Sequence, residues 1–243
     1  CALPIFLIAE DNAGTLLQVD QSSIAIRNSK FSRSSGCRMG VIFANASDVS
    51  LAASSFDSNR CIRNRAVRIE GISGPSGRNR SIRILDCIFR NNSGGGISVL
   101  SFRKSEILIN NSTFKKNGAE LEGGALILSE CRNSTIQINA SRFVSNRALW
   151  SGGAVAIIRS SGSMTFQGSK FESNRADVGG AISIRHSPGS MNFFLDSEFN
   201  LNKAQWSGGA IAMEESSGRS AFQGSEFGSN RADVHGGAVF IFE

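Results

Sequence analysis

Phe166-Gln-Gly-Ser-Lys-Phe-Glu-Ser-Asn-Arg-Ala-Asp-Val178 returns almost unchanged as Phe222-Gln-Gly-Ser-Glu-Phe-Gly-Ser-Asn-Arg-Ala-Asp-Val234, a displacement of 56 residues. Trp150-Ser-Gly-Gly-Ala recurs at Trp206 with the same displacement. The inner tetrapeptide Phe-x-x-Asn is more widespread. It stands at Phe56/Asn59, Phe89/Asn92, Phe114/Asn117, Phe143/Asn146, Phe171/Asn174, Phe199/Asn202 and Phe227/Asn230, and in degenerate form at Phe31/Ser34. Successive Phe are 25, 33, 25, 29, 28, 28 and 28 residues apart, so the duplicated block holds two units of 28. From Asn92 onward a glycine motif follows each Asn, beginning at Gly94, Gly123, Gly152, Gly179, Gly208 and Gly236. A fixed period in this range is the mark of a solenoid.

Within each unit the apolar residues alternate. Five residues before the Phe stand Ile26, Leu51, Ile84, Ile109, Ile138, Phe166, Phe194 and Phe222. Two before it stands a serine in seven units and Cys87 in the eighth. After the glycines come Ile97/Val99, Leu126/Leu128, Val155/Ile157, Ile182/Ile184, Ile211/Met213 and Val239/Ile241. Alternation means strand, because successive side chains leave opposite faces. Three short strands per unit leave no room for a helix of ten residues, which excludes a βαβ layout. The pattern predicts an all-β chain, a right-handed parallel β-helix of about eight coils, with 1–243 as one domain cut from a longer array. Like residues of adjacent coils then stack at about 4.8 Å, giving a Phe column, a Ser column and an Asn column. The Asn is expected to take the left-handed turn and ladder its amide. The 33-residue interval contains Ser73-Gly-Pro-Ser-Gly77, read as a loop inserted over 73–80.

Composition narrows the function classes. The 243 residues include 26 Gly, 3 Pro and no Tyr, an unusual balance for a compact enzyme. Residues 1–120 carry 16 Lys/Arg against 9 Asp/Glu, and 121–243 carry 10 against 11, so the net +6 lies in the first half. Aromatic residues do not interleave with the basic ones, so nucleic acid is not an expected partner. No run is long enough for a transmembrane helix.

The paired Phe-x-x-Asn and Gly-Gly-Ala-(Ile/Leu/Val) motifs resemble the repeats of the chlamydial polymorphic outer-membrane proteins over roughly residues 24–243. That resemblance implies a right-handed β-helix exported as an autotransporter passenger and used in adhesion to host cells. No trailing β-barrel segment accompanies it here, and the family's repeats carry no assigned catalytic residues.

A search for chemistry returns little. No acidic column recurs at outward strand positions. Asp177 and Asp233 are equivalents two coils apart, about 10 Å, too far to share a calcium ion. His186 and His235 occupy unmatched positions, so the sequence points to no catalytic residue, no metal ligand and no cofactor. Cys87 replaces a ladder serine and reads as a small buried thiol. Cys37 and Cys61 lie at similar offsets on adjacent coils and form a candidate disulfide. Asn45, Asn79, Asn91, Asn111, Asn133 and Asn139 head candidate glycosylation sequons, as does Asn110. The residues at Gly96/Ser98, Ala125/Ile127, Ala154/Ala156, Ala181/Ser183, Ala210/Ala212 and Ala238/Phe240 read as a flat outward strip, open to a partner or covered by the chain's own loops. Arg78, Arg80 and Arg83, in and beside the insertion, are a second candidate contact. The expected function is a non-catalytic, elongated extracellular or cell-surface scaffold or adhesin. Its partners would be proteins or glycans along the flank, with end-to-end or flank contacts to other subunits. The alternatives are a carbohydrate-active β-helix enzyme (lyase, epimerase or hydrolase) and a spacer in a large assembly.

Overall fold

The computed structural model describes residues 4–45, 47–61, 64–71 and 79–242. Every strand pairs parallel to the one a coil earlier and the one a coil later, and three nine-stranded sheets run the length of the stack. In chain order around a coil, sheet A runs from Pro4–Ile5 to Gly218–Gln223, and sheet B from Ile8–Glu10 to Glu226–Gly228. Sheet D runs from Leu17–Asp20 to Val239–Phe242. A shorter sheet C of five strands, Gly118–Ala119 to Arg231–Ala232, lies between B and D in the later coils only. Among the described residues there is no helix. Nine stacked strands give eight rises, a rod about 40 Å long. This is the right-handed parallel β-solenoid that the repeats predict.

The Phe column fills the interior. Phe31, Phe56, Phe89, Phe114, Phe143, Phe171, Phe199 and Phe227 stack with ring centroids 4.7–5.0 Å apart and planes within 8° of parallel. The ring spacing is the strand spacing, so the backbone ladder and the offset stacking of rings require the same register. Phe166, Phe194 and Phe222 form a second stack that meets the first edge to face.

Two polar ladders close the corners. In one, each Ser hydroxyl accepts the backbone N–H of the Ser one coil earlier, as from Ser112 to Ser141 to Ser169 to Ser197 at 3.1–3.2 Å. Cys87 donates its N–H to Ser112 in the same way, and its thiol is buried. In the other, the amide of each Asn donates to the next Asn along Asn59, Asn92, Asn117, Asn146, Asn174, Asn202 and Asn230 at 2.9–3.1 Å. The same amides donate to the Phe carbonyls, as Asn146 does to Phe114, which leaves these buried groups satisfied. The left-handed residue of this corner is the one before the Asn, at Ser58, Asn91, Lys116, Ser145, Ser173, Leu201 and Ser229. The Asn itself points inward, a correction to its expected turn role.

The glycine corner explains a second correction. Gly123, Gly152, Gly179, Gly208 and Gly236 have φ between +56° and +62°. Ala125, Ala154, Ala181 and Ala210 follow two residues later, just before their strands begin, and are wholly buried in the core. Strand alternation does not extend to them, so they are no outward strip. Ala238, in the last coil, is half-buried. The next outward positions, Ser98, Ala156, Ser183 and Ala212, are also buried. The corner glycines lie against that face, so that a Cβ on Gly123 would come within 3.3 Å of the Ala156 Cβ. Small residues recur there because the chain covers itself.

Candidate functional site

Coils differ in how many residues span the corner between sheets B and D. From the ladder Asn to the first glycine of the corner takes six residues at Asn117–Gly123, Asn146–Gly152, Asn202–Gly208 and Asn230–Gly236, and five at Asn174–Gly179. At Asn92–Gly94 it takes two. Of the six coils that carry the glycine motif, this one alone lacks the segment that forms sheet C, and it passes almost straight from Asn92 to the strand Ile97–Leu100. Its neighbours project beyond it on both sides, through Cys61, Asn64 and Arg65 on one and Gly118–Glu122 on the other. The result is a notch of about 870 Å³, floored by Ser93, Gly94 and Ser98 and walled by Leu100, Leu121, Ile127 and Leu149.

Arg65 bridges the notch. Its guanidinium donates to the carbonyls of Glu122 and Gly123, two coils away in the stack. Gly95 has φ +105°, a conformation that favours glycine, and a Cβ there would displace the guanidinium. Arg65 is 8 % exposed, and burial pulls its pKa down to about 10 against the opposing pull of the Glu122 charge. Glu122 itself is ion-paired with Arg185, whose Nε is buried without a partner. Arg68, also in the lining, is ion-paired with Glu70 and lies 5.8 Å from the centre of the Phe43 ring. The carboxylates of Glu70 and Glu122 are thus already shared, and Arg65 holds only carbonyls.

Beyond the notch a ridge follows sheet C. Ala148, Ala176 and Ala204 point inward and are buried. Their preceding neighbours Arg147, Arg175 and Lys203, with Arg231 before the half-buried Ala232, are in register across four successive coils and point outward. Arg231 is paired with Asp233 at 3.0 Å, and the other three have no ion pair among the described residues. Beside this cation column stand Trp150 and Trp206, 61 % and 54 % exposed. Their carbonyls accept equivalent pairs of N–H groups from the following coil, Asp177/Val178 and Val234/His235. Between them lies a coil one residue shorter, with a register shift around Ala176/Val178. Each indole is therefore pushed out at an irregularity of the ladder, two coils or about 10 Å from the other.

The residues singled out from sequence fall elsewhere. Arg78 and most of the 73–80 insertion lie outside the described residues, and Arg80 sits 3.9 Å from Asp48. Arg83 is exposed on the outer face of sheet A. Asn79, Asn91, Asn111 and Asn133 are exposed, whereas Asn45 and Asn139 are half-buried. The amides of Asn91 and Asn111 are engaged by Asp57 and Asp86. Cys37 and Cys61 are joined by a disulfide bond on adjacent coils, with Cα atoms 4.7 Å apart. His186 meets Glu215 at 2.8 Å on the surface. Sequence reasoning missed the notch and the ridge. The notch is signalled by the short Asn92–Gly94 interval. The cation column is signalled by the residue after each ladder Asn from Asn146 onward.

The model of the right handed beta helix region matches residues 7–141, just over half of the chain. Neither the curated proteins nor the solved structures compared with the chain contain a match. The stacked Phe and Asn columns within the matched span are what such a coil requires, and the chain belongs to the right-handed β-helix family.

Proposed function

We propose that this protein is a non-catalytic, elongated scaffold at the cell surface or outside the cell, binding a glycan or protein partner along its sheet C flank. The observation that carries this reading is the ridge, with two half-exposed indoles about two coils apart beside a column of cations. Exposed tryptophans offer large, stiff, apolar faces to sugar rings or to apolar side chains, and lose little conformational freedom on binding. The cations add attraction for carboxylated or sulfated partners. A disulfide between the early coils agrees with an oxidising compartment, and the resemblance to chlamydial surface repeats points the same way.

The right-handed β-helix family includes surface proteins and carbohydrate-active enzymes, which makes an enzyme the second reading. Glu120 and Glu122 in the notch favour it, but Glu122 is held by Arg185 rather than free to act as an acid or base. The test is binding to arrayed linear glycans and host surface proteins by the wild type and by a Trp150→Ala/Trp206→Ala variant. The expected result is a bound partner whose affinity falls at least about tenfold in the variant, as for loss of an aromatic anchor. Unchanged binding by the variant overturns the ridge as the contact. Incubation with acidic polysaccharides is expected to release no unsaturated or shortened products, and clear turnover would establish the enzyme.

A further inference from the structure

We propose that the notch beside Arg65 is a binding site for a small monocarboxylate with an apolar body. The occupant is argued from shape and charge together. A cavity of about 870 Å³ lies within the range of small-molecule sites, which is roughly 300–1,000 Å³. Its walls, Leu100, Leu121, Ile127 and Leu149, are aliphatic, and Leu121 and Leu149 are exposed. Arg65, Arg68 and Arg147 in the lining outnumber Glu120 and Glu122 by one positive charge. Arg68 is matched by Glu70 and Glu122 by Arg185, which leaves Arg65, Arg147 and Glu120 and the same unit excess. Arg147 and Glu120 are exposed to water, so Arg65 is the buried cation of the three.

Among the described residues no carboxylate hydrogen-bonds this buried guanidinium, and two carbonyl acceptors meet only part of its five-donor fork. A carboxylate offers the planar pair of oxygens that such a fork takes up bidentately. The unit excess favours a single negative charge over a doubly charged phosphate. The ligand's apolar body would cover the leucines, which otherwise face water at a cost proportional to their area. The floor suits close approach, since Ser93, Gly94 and Ser98 bear little or no side chain. The notch shares Arg147 with the cation column, but neither Trp150 nor Trp206 lines it, so the site goes beyond the flank reading and is tested separately from the indoles.

Calorimetric titration of the full chain with sodium decanoate, against 1-decanol as the uncharged match, tests the site. The expected result is one saturable decanoate site, with 1-decanol weaker by about tenfold or more, the scale of a charged hydrogen bond. Arg65→Met should erase the preference for the acid. Because that variant removes a brace across the corner, Leu149→Asp provides a second test at an exposed wall. It should remain folded by circular dichroism and lose decanoate affinity by about tenfold. Absence of saturable decanoate binding to folded wild type, equal binding of 1-decanol, or full binding by Leu149→Asp would each overturn the proposal. Glycan or protein binding through Trp150 and Trp206 is expected to persist in all three outcomes, which keeps the two readings distinguishable.

Discussion

Phe143 is flanked at 4.8 Å by Phe114 and Phe171 and is wholly buried. Truncation removes a ring from the middle of a column whose neighbours are fixed by their own ladders and cannot close the gap. Phe143→Ala should therefore cost about 3–5 kcal/mol in chemical denaturation, and a loss under about 1 kcal/mol would contradict the column. This residue, like the Ser and Asn ladders, is legible from spacing alone, because stacking forces chemically equal side chains into equal places. Ala125 and Ala154 mislead for a specific reason. They sit in the corner, one residue ahead of the strand, where the two-residue period does not yet hold. Arg65 is illegible, since its partners lie 57 and 58 residues away and no repeat of the residue announces it.

At the scale of the element, the turns separate conformational need from steric need. The turn between sheets A and B has a left-handed residue in every coil after the first, filled by Asn28, Ala53, Asp86, Asn111, Ala140, Gly168, Asp196 and Gly224. Side chains are plainly accommodated there, and a Cβ on Gly168 would meet nothing within 4 Å. At Gly153 the φ is ordinary, yet a Cβ would collide with the carbonyl oxygens of Gly180 and Arg175 in the next coil. Gly168→Ala should thus cost about 1–2 kcal/mol at most, the strain of one left-handed residue. Gly153→Ala should cost more than about 2 kcal/mol, because backbone must shift. Equal thermal unfolding of the two variants would refute the collision. The paired glycines are visible in the sequence, but their two different duties are not, since one concerns torsion and the other the distance to a neighbouring coil.

Across the whole molecule, stability should be nearly a sum over coils and their interfaces, as in other solenoids. The Cys37–Cys61 bond ties two early coils across a separation of 24 residues. Its reduction should lower stability by about 3 kcal/mol on the loop-entropy scale. Amide exchange should accelerate around Phe31 and Phe56 while protection at Phe143 and Phe171 persists. Uniform acceleration along the rod would show that the coils unfold as one unit. Cys87 and Cys131 should resist alkylation in the native protein, since burial raises their thiol pKa values to about 11 and about 12. Rapid native labelling of either would place it at the surface.

The four residues that separate the Asn92–Gly94 interval from its six-residue counterparts show how an omission can create a recess. A hollow produced by leaving something out needs no dedicated architecture, and its address is simply the rung that was shortened. Restoring four residues after Asn92 would heal the flank, and the same excision after Asn146 would open a hollow farther along the rod. A recess in such a protein is therefore portable, moved by small deletions while the stacked interior stays as it was.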